Sequence, residues 1–371
     1  MQFIECEREA LLKPLSIVGG IIEGRQTLPI LSNILVEKDG QELTFTTTDL
    51  DIQIKTHAAI GVGPDQLKAT IPAAKFISIL NALPKSDKNL SVETEGKKVL
   101  LLADTSRFTL AQLNADEYPS LPAITEGRIF SLPASALKYL FQMVHFAMAQ
   151  QDIRYYLNGL LLVVEKDKVR TVATDGHRLA CCDANCEINI DDPFNAILPR
   201  KAVLQLMKLL PETDEPVNVE IGKDQARFTF GDIEFLAKLI DGIGKFPDYT
   251  RVIPTNNDKM FLVNREKLIG ALRRAAILAN EKFKGLRWLV TQGHLQIQSI
   301  NSDMEEAVEN IDIDYTGEDL DLGFNVTYLL DVLCNLRNSD VRFSFSTSQA
   351  ATLLTMPESE QFRYVLMPMR I

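Results

Sequence analysis

The feature that most constrains this fold is internal repetition, because five signals recur in the same order three times along 371 residues. Each copy opens with an aromatic-led strand and an amphipathic helix: Phe3-Ile4-Glu5-Cys6 then Glu9 to Val18, Phe130-Ser131-Leu132 then Ala134 to Ala147, and Phe261-Leu262-Val263 then Glu266 to Leu278. Apolar residues in the second part of each pair follow helical spacing. A strand pair follows, in which residues 28–35 match 153–160 and, more loosely, Phe283 to Trp288. Next, Thr48-Asp49-Leu50, Thr174-Asp175-Gly176 and Asn301-Ser302-Asp303 read as turns, with Asp49, Asp175 and Asn301 separated by 126 residues each time. A second helix begins near Pro72, Pro199 and Asn325, and each copy closes with Arg107-Phe108-Thr109-Leu110, Arg227-Phe228-Thr229-Phe230 or Arg363-Tyr364-Val365-Leu366.

Two helices against several strands predict an α+β fold of three repeated modules, each with two helices packed on antiparallel sheet, at residues 1–124, 128–252 and 253–371. The expected helices span 7–22, 72–85, 133–152, 199–211, 264–285 and 325–338. Triplication points to a scaffold, since an active site seldom needs three copies.

Charge adds a second constraint. The chain carries −11 overall, which argues against simple coating of nucleic acid. The six expected helices, however, hold 15 Lys and Arg against 6 Asp and Glu, a net of +9, so everything outside them carries −20. A positive helical layer and a negative strand layer suit a ring whose lumen meets phosphates and whose exterior repels them. Ordinary charge scatter, with Lys and Arg serving as good helix formers, is the competing reading.

Several function classes drop out. No run reaches the roughly 18 apolar residues of a membrane span, and Glu5, Glu7 and Glu9 interrupt the N-terminus where a secretory signal would be basic and then apolar. A cytoplasmic protein is expected. Cys6, Cys181, Cys182, Cys186 and Cys334 lack the spacing of a zinc ribbon, and no phosphate loop, GxGxxG, GxSxG or HExxH pattern occurs. The best catalytic candidate is Asp175 with His177, although a turn-capping role for Asp175 is the stronger reading. Gln150 to Tyr156 combines amide, basic and aromatic side chains suited to phosphate contact and base stacking, against a plain core-and-rim role for its paired tyrosines.

Specific segments then carry a resemblance: Arg25 to Leu31, Gln151 to Gly159, Thr171 to Ala180, Phe246-Pro247-Asp248-Tyr249, Asn280 to Gly285, Gly323 to Val326 and Met367-Pro368-Met369-Arg370. Over essentially its whole length the chain resembles the bacterial DNA polymerase III beta subunits, the sliding clamps. The resemblance implies a head-to-tail homodimer, six modules around a hole lined by twelve helices, each chain forming half of a closed ring. Such a ring is a processivity factor that slides on double-stranded DNA. It tethers the polymerase III alpha subunit, other DNA polymerases, ligase and mismatch-repair proteins, and it is opened by an ATP-driven clamp loader. It is not an enzyme and implies no cofactor, metal or membrane; the alternatives are an acidic interaction scaffold or an enzyme using Asp175 and His177.

By the same resemblance, partner peptides bind a pocket lined by Leu157, Thr174, Gly176, His177, Arg178, Leu179, Pro247, Arg251, Val252, Phe283, Asn325, Tyr328, Val365, Leu366, Met367, Pro368, Met369 and Arg370, with His177, Arg178 and Arg370 fixing polar groups at its rim. Arg25, Gln151, Tyr155 and Tyr156 are expected to touch DNA, with Arg200 and Lys201 adding lumen charge. Phe108 and Leu110 are expected to meet Ile277 and Leu278 across the dimer interface, while Lys75 and Arg107 face Glu305, Glu306 and Glu309. The chain departs from the family in a longer connection through Gly242 to Gly244, in Ala74 before Lys75, and in its final Ile371.

Overall fold

The computed structural model describes every residue except 23–27, 86–88, 189, 191, 242–245 and 371. Arg25, the Gly242 to Gly244 connection and Ile371 therefore lie outside the described residues. The first copy of the repeat runs β1 (Gln2–Cys6), α1 (Arg8–Val18), β2 (Asn33–Asp39), β3 (Glu42–Thr48), β4 (Ile52–Ala58), β5 (Gln66–Pro72), α2 (Ala73–Ala82), β6 (Leu90–Glu95), β7 (Lys98–Ala103) and β8 (Ser106–Ala111). The second runs β9 (Arg128–Pro133), α3 (Ala134–Val144), β10 (Gly159–Val164), β11 (Lys168–Thr174), β12 (Arg178–Asn185), β13 (Phe194–Pro199), α4 (Arg200–Leu209), β14 (Pro216–Ile221), β15 (Gln225–Phe230) and β16 (Ile233–Lys238). After the single turn α5 (Tyr249–Val252), the third runs β17 (Lys259–Asn264), α6 (Arg265–Ala276), β18 (Gly285–Thr291), β19 (His294–Ile300), β20 (Glu306–Asp312), β21 (Leu320–Asn325), α7 (Val326–Asn335), β22 (Asp340–Phe345), β23 (Thr352–Met356) and β24 (Ser359–Leu366). Among the described residues each copy thus contains eight strands and two long helices in one order.

Contacts divide the chain into two units, Met1–Ser135 with Leu204–Leu239 and Ala136–Val203 with Ile240–Ile371. The first unit holds the sheets β1-β6-β7-β8 and β5-β2-β3-β4-β16-β15-β14-β9, and the second holds β13-β10-β11-β12-β24-β23-β22-β17 and β20-β19-β18-β21. Each eight-stranded sheet is made by pairing the outer strands of two successive copies, β4 with β16 and β12 with β24, both antiparallel. Within each sheet, strands that follow one another through short connections pair antiparallel as neighbours, because a hairpin connection leaves little choice of partner. Counterparts of these junction strands, β8 and β20, are the odd ones out: each ends its sheet as an edge.

Helical packing follows the apolar stripe. Leu11, Leu15 and Val18 of α1 are buried against β3 and β4, and Leu268, Leu272 and Ala275 of α6 are buried against β19 and β20. Thr47 Oγ1 donates to the Val18 carbonyl at 2.6 Å and Ser299 Oγ to the Ala275 carbonyl at 2.7 Å, so one hydroxyl per sheet ties down the last helical turn in the first and third copies. The third copy also stacks Phe261 on Phe343 and Phe345, with centroids 5.6 Å apart in both pairs.

Three sequence expectations are corrected. Residues 133–152 and 264–285 do not remain helical throughout: α3 ends at Val144 and α6 at Ala276. The carbonyls beyond α3 are satisfied from elsewhere, Phe146 by Arg178 and both His145 and Met148 by Arg200. Tyr155 and Tyr156 begin a one-turn 3-10 helix (Tyr155–Leu157) rather than a strand, as do the matching residues Pro29–Ser32. The closing match also shifts: Arg227 to Phe230 lie on β15, whereas the strand that corresponds to Arg107 to Leu110 is β16.

Candidate functional site

The 126-residue period is a conserved piece of turn chemistry within this one chain. Asp49 Oδ1 accepts from the Asp51 and Ile52 amides, Asp175 Oδ1 from His177 and Arg178, and Asn301 Oδ1 from Asp303 and Glu305. Thr48 and Thr174 add the same second bond, each hydroxyl receiving the amide two residues on. That position needs a left-handed backbone, with φ of 77° at Leu50 and 90° at Gly176, so the glycine relieves a strain that Leu50 bears.

Only the middle copy uses the turn to place an arginine. Arg178, 8% exposed, donates Nε to Asp175 Oδ2 at 3.0 Å, Nη1 to Asp331 Oδ2 at 2.7 Å and Nη2 to the Phe146 carbonyl at 2.6 Å. Its guanidinium also lies 4.3 Å from the centroid of the Tyr328 ring. Burial alone would favour the neutral guanidine, but Tyr364, Asp331 and Asp175 outweigh it and hold the group more firmly protonated than usual. Asp175 is fully engaged by the turn and by Arg178, which leaves it no role as a general base paired with the exposed His177.

Strand alternation puts Arg178 and Leu179 on opposite faces of β12. Leu179 and its cross-strand partner Val365 belong to a cluster with Leu161, Val163, Val172, Cys181 and Ile197, all buried, against which Tyr156, Ile240, Phe246, Tyr249, Ile253, Ala351 and Leu353 pack while keeping part of their surface exposed. This apolar patch is the candidate site. Of the eighteen residues expected to line a pocket, the structure brings Leu179 and Val365 into this cluster, with Pro247, Arg251 and Val252 beside its Tyr249 and Ile253 wall. Met367 is 46% exposed and its amide donates to the His177 carbonyl, while the Met369 amide donates to the Gly323 carbonyl, so Leu366 to Arg370 run from the turn towards β21.

Other residues of that set have different work. Arg178, on the face of β12 opposite Leu179, is buried against the half-buried Tyr328 and Asp331, an arrangement that makes it a positioning residue in this structure rather than an exposed rim group. Asn325 caps α7 by accepting the Thr327 amide at 2.9 Å, Leu157 is buried, and Phe283 is 61% exposed with Lys282 Nζ 5.6 Å from its centroid. The sequence reading missed Val172, Cys181, Tyr249 and Ile253. Strands buried on both faces hide the two-residue period that would have revealed the first two, and α5 is too short for helical periodicity.

Beside the patch and on the same face sits a polar cluster. Arg170 holds Asp183 with Nε at 2.6 Å and Nη2 at 2.9 Å, Arg363 Nη2 reaches the same carboxylate at 2.7 Å, and Arg170 Nη1 donates to the Tyr249 hydroxyl at 3.1 Å. Burial pushes the adjacent Cys181 thiol up to about 11, so it is a packing residue at neutral pH.

The expected DNA contacts divide similarly. Gln151 and Tyr155 are exposed, Gln151 with a φ of 54°, but Tyr156 packs against the apolar cluster. Arg200 is not a free lumen charge, since its guanidinium caps the His145 and Met148 carbonyls and burial weakens its hold on the proton. Arg8 and Arg265 do the same for the ends of α2 and α7, donating to Leu83 and Leu333 carbonyls. The six long helices nonetheless carry eleven Lys and Arg against three Asp and Glu, and Lys75 and Lys201 are exposed.

Among the expected interface residues, Ile277 is 77% exposed, Leu278, Phe108 and Leu110 are half-buried, and Arg107 is exposed. Glu309 is engaged within its own protomer, where Arg274 holds both its oxygens at 2.7 Å and keeps its carboxyl below the usual range. Glu305 is partly committed to the Asn301 turn, and Glu306 opens β20 exposed.

Comparison with known proteins gives this geometry its context. Models of the N-terminal, central and C-terminal domains of the DNA polymerase III beta subunit match residues 1–122, 131–248 and 250–370. The chain is 43% identical over 365 residues to the beta sliding clamp of Pseudomonas aeruginosa and 41% identical to that of Escherichia coli, covering 98% of this chain and 99% of each relative. A crystal structure of the Pseudomonas aeruginosa clamp with a ligand superposes with a TM-score of 0.95 at 42% identity, and a griselimycin-bound clamp from Bartonella birtlesii with 0.95 at 33%, each over the full length of both chains. No helix among the described residues is long and apolar enough to cross a membrane. The chain belongs to the DNA polymerase III beta subunit family, the bacterial sliding clamps.

Proposed function

We propose that this chain is one protomer of a homodimeric ring that encircles double-stranded DNA in the cytoplasm, tethers the replicative polymerase and other replication and repair proteins, and is opened by a clamp loader. It is a non-catalytic processivity factor. The observation that carries the ring is the pair of edges, β8 and β20, whose counterparts in the other copies are all paired. Pairing β20 of one protomer with β8 of another, head to tail, repeats the junction already made twice and removes both edges.

The repeat also sets the register. Thr48 pairs with Gln53, Thr174 with Leu179 and Ile300 with Glu306, which aligns β20 on β4 and β12; Ala103 with Ser106 and Phe230 with Ile233 align β8 on β16. Transferring the pair Lys55 and Glu234 then sets Val308 opposite Arg107, Ala307 opposite Phe108 and Glu306 opposite Thr109. Alternating exposure agrees, since Arg107 and Val308 are both exposed while Phe108 and Ala307 are both half-buried. Arg107 therefore has Glu306 as its diagonal neighbour, and Phe108 sits in the middle of the seam.

For DNA, the helical surplus of positive charge with Gln151, Tyr155, Lys201 and Arg25 is the proposed contact set; a ring needs only weak phosphate contacts, because topology retains the duplex. For partners, the apolar patch around Leu179 and Val365 is the proposed seat of short peptides, with Pro247, Val252, His177 and Met367 to Arg370 around it. Sedimentation velocity tests the ring: the wild type should run at twice the 41.5 kDa protomer mass, and Phe108→Asp should run as a monomer and lose retention on circular DNA. An unchanged mass for Phe108→Asp would reject the seam.

A further inference from the structure

We infer that the Arg170, Asp183 and Arg363 cluster is an acid-reading subsite next to the apolar patch, and that it selects partner peptides carrying a carboxylate beside their apolar anchors. This rests on the proposed peptide seat. Its first basis is position. Arg363 stands two residues before Val365 on β24 and directly opposite Cys181, and both Val365 and Cys181 are floor residues of the patch. Arg363 and Asp183 therefore share a face with the floor, and an occupant packed on Leu179 and Val365 passes within one strand repeat of the guanidinium.

The second basis is charge. Two guanidinium groups share the single Asp183 carboxylate, and Arg170 takes it in bidentate fashion, leaving Arg363 the weaker share through Nη2 alone. Arg363 Nε is buried with no partner among the described residues, while 29% of its side chain remains exposed. The cluster thus keeps one net positive charge and unmet donors at an apolar edge, in a chain whose net charge is −11. The fork geometry of a guanidinium suits a carboxylate and offers nothing comparable to an amide. The junction between the first two copies shows what a purely structural pair at this place looks like: Glu234, in the position of Arg363, meets Lys55 at 3.5 Å and Arg227 at 3.7 Å, with no cation in excess of the carboxylates Glu220 and Glu234.

The test uses the intact dimeric protein and two series of labelled peptides with the same leucine and phenylalanine anchors, one bearing Asp and the other Asn at each flanking position in turn. At one position the Asp peptide should bind about fivefold tighter than its Asn twin, the value of a single partly exposed charge pair near 1 kcal/mol. Arg363→Gln should erase that preference without weakening the Asn peptide, and Asp183→Asn, which frees both arginines, should widen it. The preference should also shrink as salt rises, a readout available from the wild type even if a variant folds poorly. Equal binding of Asp and Asn peptides at every position, or equal loss of both in Arg363→Gln, overturns the subsite while leaving the apolar seat intact. Failure of all peptides to bind the wild type overturns the seat itself, and the subsite with it.

Discussion

Replacing Arg178 by Ala removes a side chain that joins the middle-copy turn to α7. The magnitude can be assembled from its contacts. Loss of a partner from a buried ion pair costs about 3–5 kcal/mol, but Asp331 is 35% exposed and regains water, so the lower end applies. The orphaned Phe146 carbonyl adds roughly 1 kcal/mol, and the contact with Tyr328 at 4.3 Å about another. These terms share one side chain and do not sum, which leaves a loss of about 3–4 kcal/mol. Urea unfolding of the second unit at a fixed protomer concentration should show its midpoint lowered by about 1 M, given an m-value near 3 kcal/mol/M. Hydrogen exchange should quicken at the His177 and Arg178 amides, which the Asp175 turn now protects. Lys should recover only part of the loss, having no fork to span three acceptors. A midpoint shift of less than 0.3 M by this estimate would refute the account of Arg178 as a buried tie.

Three further outcomes follow. His145 is held below its ordinary pKa chiefly by burial, so its contribution is present above about pH 6.5 and lost as pH falls towards its folded value; His145→Gln should flatten the stability of the second unit between pH 7 and 5, and an unchanged acid slope would count against it. Deleting Met367 to Ile371 removes the amide bonds to His177 and Gly323, and none of the described residues 367–370 belongs to the buried core, so the ring should stay dimeric by sedimentation while peptide binding falls at least tenfold; full affinity in the truncation would reject the tail as part of the seat. Cys334 is the one exposed thiol, whereas burial pushes Cys181 up to about 11 and Cys6 up to about 12, so a thiol reagent at pH 8 should titrate Cys334 first and leave Cys6 and Cys181 until unfolding.

What the sequence by itself determined was everything local. A repeat of 126 residues, helical spacing in six segments and three Asp or Asn turns were enough to give the modules, because turn capping and apolar periodicity are decided by neighbours a few residues apart. The same locality explains the errors. Residues 145–152 and 277–284 look helical on pattern, but Arg200, Arg178 and Asn280 satisfy the backbone there in other ways, and two of those partners come from distant strands and helices. Asp175 and Arg178 were visible as residues but not as a buried tie, since Asp331 lies 153 positions away. Glu309 likewise reads as a free interface charge until α6 sets Arg274 against it. Only the tertiary structure decided which face of each doubly buried strand meets the candidate site, and that Arg363 and Arg170 converge on Asp183. Strand pairing across the chain, and the low exposure it imposes, assigned those side chains their partners.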